Sequence, residues 1–243
     1  MTPMLWNRAH VGLLIGPQGV SAQDLRSGRA LPAAAGVAQA LEGQRGSGAR
    51  LSVLLSDAYC RFAVVHRPPG VRSASELQAA AQSRFRAMFG DVERWRVACD
   101  ASPRHDLDFV AGVDGAVLEP LLAQAQQAGL RVISVKPLWL AWATHFRRQT
   151  RRGRHWVLAH EAAADGGWLG LGYFEDGVCR HARALRAEDG PPDIDALLAR
   201  ERAFVAGADP LAAVWLGGAA APARLASGAG VSALAQAAPW GTA

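Results

Sequence analysis

Apolar residues fall into short runs separated by glycine, proline and acidic residues, and the spacing inside each run predicts its element. Val11 to Ile15 is a continuous apolar run of strand length, Gly16-Pro17-Gln18-Gly19 has the composition of a turn, and Val20 to Leu25 alternates. Together these predict an N-terminal β-hairpin. Leu31 to Leu41 is alanine-rich with helical spacing, and Gly43 to Gly48 ends it. Arg50 to Ser56 and Tyr59 to His66 read as strands separated only by Asp57-Ala58, which predicts a second hairpin. Pro68-Pro69-Gly70 stops that pattern. Ser73 or Ser75, with Glu76 close behind, then caps a helix to Phe89 that carries Leu77, Ala81, Phe85 and Met88 on one face and stops at Gly90.

Trp95 to Cys99 and Leu107 to Val113 follow as strands. Asp114 caps a helix from Ala116 to Ala128, ended by Gly129. Arg131 to Val135 is a strand, and Pro137 suits the first turn of a helix to Phe146. After Arg147 to Arg154 the pattern restarts. Strands are expected at Trp156 to Glu161, Trp168 to Phe174 and, past the turn Asp176-Gly177, Val178 to Leu185. A helix from Ile194 to Val205 and a strand from Ala213 to Leu216 complete it, and Gly217-Gly218 breaks that strand. The expected organisation is a first lobe at 1–146, an arginine-rich linker at 147–154, and a reduced second lobe at 155–243 with a weakly structured Ala/Gly-rich tail.

Composition narrows the class. Half of the 243 residues are apolar and 19% are charged, enough for a sizeable core and against disorder as the main state. No apolar run reaches the length of a membrane helix, since Val132 to Phe146 is short and carries Lys136 and His145. Met1 to Gly16 lacks the pattern of a secretory signal, so a cytoplasmic location is expected. Cys60, Cys99 and Cys179 are odd in number, far apart and each inside a strand-like run, which reads as buried reduced thiols. No CxxC pair, GxSxG elbow, P-loop or dinucleotide fingerprint is present, and His155 and His160 point to opposite faces of one strand.

The net charge of +5 comes almost wholly from arginine, with Lys136 the single lysine. Five of the eight residues from Arg147 to Arg154 are arginine, a solvated linker or an electrostatic contact with anionic lipid or an acidic partner. No aromatics alternate with these arginines, which argues against nucleic acid. Trp139 and Trp142 share one helix face, as core or, if exposed, as an anchor for a partner.

Some segments also carry a family resemblance. The run LSVLLSDAYCRFAVV, the helix ELQAAAQSRFRAMFG, the strand ERWRVAC and the segment FVAGVDGAVLEPLLAQAQQAGLRVISVKPLWLA follow one another between Leu51 and Phe146. This stretch resembles the type IV pilus assembly protein PilM and the cytoplasmic domain of the type II secretion protein GspL. The resemblance implies a two-lobe actin-like (RNase-H-like) α/β fold with a subdomain inserted in the first lobe. It also implies a scaffold at the cytoplasmic face of the inner membrane that binds the cytoplasmic tail of a membrane partner. Such a groove is expected near Leu51, Val53 and Leu55, with Arg84 and Arg86 at its rim.

Actin-like ATPases place ATP and Mg2+ between the lobes, on Asp-x-Gly loops. The matching cleft positions here are Gly16 and Gly19 in the first hairpin, Glu161 and Asp165 in the second lobe, and Gly217-Gly218. The first hairpin has no acid at the Asp position and the glycine spacing of the second differs, so neither a cofactor nor ATP hydrolysis is expected. The alternatives are a nucleotide-binding ATPase with an atypical site and a basic nucleic-acid-binding protein.

Overall fold

The computed structural model describes residues 9–32, 34–91, 93–101, 105–163, 166–187, 193–205, 207, 213–218 and 231–232. The first lobe opens with the expected hairpin of β1 (His10–Gly16) and β2 (Gly19–Asp24), which pair antiparallel with Ile15 opposite Val20. β1 also pairs in parallel with β3 (Arg50–Leu55), and β3 in parallel with β7 (Arg131–Pro137). The sheet order is therefore β2-β1-β3-β7. On the outer side of β2, Ala30 and Ala34 each make one antiparallel bridge, a rudimentary fifth strand. Those bridges claim the backbone where the helix was expected, so α1 spans only Val37–Glu42.

The second hairpin does not form. A 3-10 turn at Asp57–Tyr59 carries the chain out of the first sheet, and β4 (Cys60–His66) pairs antiparallel with β6 (Leu107–Asp114) instead. β3 has parallel partners on both sides, which leaves no edge for β4. With β5 (Trp95–Ala101) on the far side of β6, this makes an inserted three-stranded sheet, β4-β6-β5. α2 (Ala74–Phe89) covers it, burying Ala81 and Phe85 against Val110. Its start is the capping box read from the sequence: Ser73 accepts from the Glu76 N–H, and the Glu76 carboxylate accepts from the Ser73 N–H. Asp114 likewise caps α3 (Gly115–Gln127).

α4 (Leu138–His145) follows β7 and runs straight into a 3-10 segment, Phe146–Arg151, whose Phe146 and Thr150 are buried. Thr150 anchors the arginine-rich stretch, while the other seven residues from 147 to 154 are exposed. In the second lobe, β8 (Arg154–Ala163), β9 (Gly166–Glu175) and β10 (Val178–Ala187) form an antiparallel meander. α5 (Ile194–Arg202) leads on to β11 (Ala213–Gly218), parallel to β8, and β12 (Val231–Ser232) lies parallel to β11. The turn between β9 and β10 takes φ 49° at Asp176 and 80° at Gly177, the left-handed pair that an Asp-Gly hairpin needs.

The order β10-β9-β8-β11-β12 repeats that of the first lobe, edge segment, β2, β1, β3, β7, with the same strand directions. The second lobe is reduced in having no inserted sheet among the described residues. The main core starts in the first sheet and crosses into the second lobe at Val157, Ala159, Phe174 and Ala182. A second cluster, built on Trp156, Leu171 and Tyr173, lies between the other face of β8–β9 and α5. The tail positions 219–230 and 233–243 lie outside the described residues.

Candidate functional site

In a parallel array, the carboxyl ends of the strands gather the loops that can hold a ligand. Here the ends of β1, β3 and β7 in the first lobe face β8 and β9 of the second, and α4 crosses between them. Trp139, fully buried in the first turn of α4, holds this seam together. Its ring stacks on Phe62 of β4 at 5.2 Å, on Phe109 of β6 at 5.8 Å and on Phe174 of β9 at 6.1 Å. Its Nε1–H donates to the Val157 carbonyl at 3.0 Å. One side chain therefore touches the inserted sheet and the second lobe while belonging to the first.

Two glycines of β9 admit that ring. A Cβ at Gly170 would overlap Trp139 and the Asp57 carboxyl, and one at Gly172 would overlap the Trp139 indole. β9 alternates accordingly: Leu169, Leu171 and Tyr173 face α5, while Gly170, Gly172 and Phe174 face Trp139.

A pair of carboxyl groups closes the same seam. Glu161 reaches from β8 and accepts a hydrogen bond from the Asp57 N–H at 2.7 Å and another from the Ser56 hydroxyl. Asp57 is fully buried; its Oδ1 accepts the Trp139 N–H at 3.3 Å, a cap for an α4 terminus that has no side-chain cap from its own N-cap residue. Asp57 Oδ2 is buried without a hydrogen-bond partner. Burial, and then the nearby Glu161 charge, push the Asp57 carboxyl well above its ordinary range, against the Trp139 N–H that favours its charged form. Burial also raises Glu161, partly offset by its two hydrogen bonds. His160 is kept towards its neutral form by burial, and its Nε2 has no partner.

The cleft positions singled out in the sequence come together in part. Gly16 ends β1 beside Ser56, with the Ser56 N–H donating to the Ile15 carbonyl at 2.8 Å, and Glu161 faces Ser56 from the other lobe. Gly217 and Gly218 continue β11 rather than breaking it, opposite Ala159 and His160. Gly19 closes the far side of the first turn and lies near the Ala34 carbonyl. Asp165 lies outside the described residues. Among the described residues, no three His, Cys, Asp or Glu side chains group to hold a metal ion. Ser56 and Asp57 were not legible as site residues, because a Ser-Asp pair after a strand reads locally as a turn; Trp139, read as core or anchor, is core.

The proposed partner positions are a correction. Leu51, Val53 and Leu55 are fully buried in the central strand of the first sheet and present no surface. Arg84 and Arg86 are exposed on α2; Arg84 edges a small pocket of about 10 Å³ with Val65, Leu77 and Ala81, and neither lines the larger cleft. That cleft, of about 430 Å³, opens between the inserted sheet, α4 and the β9–β10 hairpin. Its walls are Val64, Leu107, Phe109, Leu140 and Phe174, its floor is Trp139, and Asp100 and Arg147 bring opposite charges to it. His105 also lines it, with Nδ1 buried and unpartnered. The size and the apolar walls with a few polar groups suit a bound ligand or peptide. Cys179 lies there too, its thiol pushed up to about 12 by burial and so unreactive.

Three solved structures share this architecture over most of its length. The cytoplasmic domain of EpsL, an inner-membrane component of the type II secretion system of Vibrio cholerae, aligns with a TM-score of 0.58 at 14% identity, covering 95% of this chain and 91% of that one. The PilM–PilN type IV pilus biogenesis complex gives 0.59 at 12% identity, over 95% and 88%. A Bacteroides thetaiotaomicron protein with an actin-like ATPase fold and unknown function gives 0.56 at 11%, over 89% and 83%. The chain has the actin-like fold. No protein-family model and no curated protein matches its sequence.

Ser56, Asp57 and Glu161 thus meet between the lobes, beside Gly16 at the end of β1. Two first-lobe donors engage the Glu161 carboxylate. No helix of the described residues is long and apolar enough to cross a membrane.

Proposed function

We propose that this actin-like chain is a non-catalytic scaffold of a pilus or secretion assembly complex. It would hold the cytoplasmic tail of a membrane partner in the groove above Trp139. One observation carries the reading: the seam between the lobes is closed by the protein's own side chains, while an apolar groove stands open beside it. The likeness in fold to the EpsL cytoplasmic domain and to PilM in complex with PilN supports it. An extended segment would place apolar side chains against Phe109, Leu140 and Phe174, with charged neighbours at Arg147 and Asp100. The chain would then work in the cytoplasm, peripheral to the inner membrane.

Affinity purification of the tagged chain from solubilised membranes tests this directly. The expected result is recovery of an inner-membrane protein from the same gene neighbourhood, and loss of it with Thr144→Trp, which fills the groove from an exposed position in the last turn of α4. Recovery unchanged by that variant, or none from a folded sample, would overturn the reading. A second reading, a nucleotide-binding ATPase, draws on Gly16, Glu161 and Gly218 meeting at the strand ends. Magnesium-ATP raising the melting temperature by several degrees would favour it over the scaffold.

A further inference from the structure

The arginines after α4 are displayed outward as a set. Phe146 and Thr150 anchor one side of the 3-10 segment in the core, the Thr150 hydroxyl donating to the Phe146 carbonyl at 3.2 Å. Arg147, Arg148, Arg151 and Arg152 are all exposed, and none forms an ion pair or side-chain hydrogen bond with a described residue. Some arginines elsewhere in the chain are paired. Arg154 and Arg180 both hold Glu175, at 3.1 and 3.3 Å, and Arg67 and Arg94 hold the buried Asp108 and Asp114. The backbone of Arg151 packs against Gly177 of the β9–β10 turn, which fixes the corner in place.

We infer that this corner is a docking surface for anionic phospholipid headgroups. Four guanidinium groups with no fixed acidic counterpart suit an array of phosphates that can move sideways to meet them. The nearby rings of Trp142 and Phe146 are buried, so bases would find nothing to stack on. Arg148, Arg151 and Arg152 line no part of the groove, which leaves them without the walls that would position a particular acidic peptide. Arg147 belongs both to this corner and to the groove, so a tail coming down from the membrane would enter the groove where the headgroups lie. The inference rests on the charge and exposure of the corner and does not require the tail.

The test is co-sedimentation of the full chain with vesicles of phosphatidylcholine alone, or with about 30% phosphatidylglycerol. Binding is expected only with phosphatidylglycerol, weakening as salt rises. Each Arg→Gln substitution among the four should reduce it about fivefold, and replacing all four by lysine should preserve it. Melting curves confirm that these exposed substitutions leave the fold intact. Thr144→Trp should leave vesicle binding unchanged, which separates this result from the fate of the tail reading. Equal binding to both vesicles, or indifference to the fourfold glutamine variant, would overturn the inference. Tighter binding of an oligonucleotide or a polyglutamate peptide than of the anionic vesicles would do the same.

Discussion

Trp139 belongs to two regions that behave in opposite ways. On one side its ring fills the seam between the lobes, where Gly170 and Gly172 give up their side chains to receive it and Glu161 bonds across to Asp57. On the other it floors an open groove whose walls come from three different sheets and helices. The first region is closed by close packing and by the Asp57–Glu161 hydrogen bond, with Asp57 Oδ2 left unpartnered, and the second is an open groove with apolar walls. Side chains of the two lobes thus meet across the seam, while a groove with apolar walls lies beside it.

The comparison breaks most severely at the shared ring. Trp139→Ala should cost about 3–5 kcal/mol in denaturant unfolding, because it removes a buried aromatic stacked on three others. Gly172→Ala should cost about 1–3 kcal/mol by overpacking. In the Trp139→Ala background the glycine substitution should cost less, since the ring has gone although the His181 carbonyl still crowds the added Cβ; strict additivity would show that the two do not form one contact.

Next in size is the carboxyl pair. The Asp57 carboxyl is raised above its ordinary value of 3.8 in the folded state, so the fold binds that proton more tightly than the unfolded chain does. Its contribution is fully present below the unfolded value and is lost as pH rises through the raised one. Asp57→Asn keeps the acceptor for the Trp139 N–H and removes the titration. The variant should therefore melt higher than the parent, by about 2–4 °C at neutral pH for each kcal/mol regained, with the gap narrowing as the solution is acidified. A gap independent of pH would remove Asp57 as the titrating group.

The smallest effects are expected in the groove and on α2. Thr144→Trp should change stability by no more than about 0.5 kcal/mol, since Thr144 is exposed, yet abolish partner recovery. Arg84→Ala with Arg86→Ala should leave both stability and partner recovery unchanged, because neither residue lines the groove.

Several signals with a local cause stand, although the alanine-rich helix is shorter than its pattern and Gly217-Gly218 does not break β11. The Ser73–Glu76 capping box, the Asp114 cap, the Asp176-Gly177 turn and the first hairpin each depend on a few neighbouring residues, and each stands where the pattern put it. The second hairpin failed because strand pairing is a competition across the whole sheet: β1 and β7 took both edges of β3. Leu51, Val53 and Leu55 are buried for the same reason, since alternation shows that they share a face but not that this face is covered.

By itself the sequence determined the elements, their caps, the two-lobed plan and the absence of acids from the first hairpin turn. Only the tertiary structure decided that Asp57 faces Glu161 across 104 residues of chain and that Trp139 rests on two glycines of β9. It also decided that four arginines remain unpaired among the described residues while their neighbours are held. The physical reason is range. Turns and caps are settled by backbone geometry over a few residues, whereas burial, ion pairing and a carboxyl group's hold on its proton depend on what the fold brings alongside.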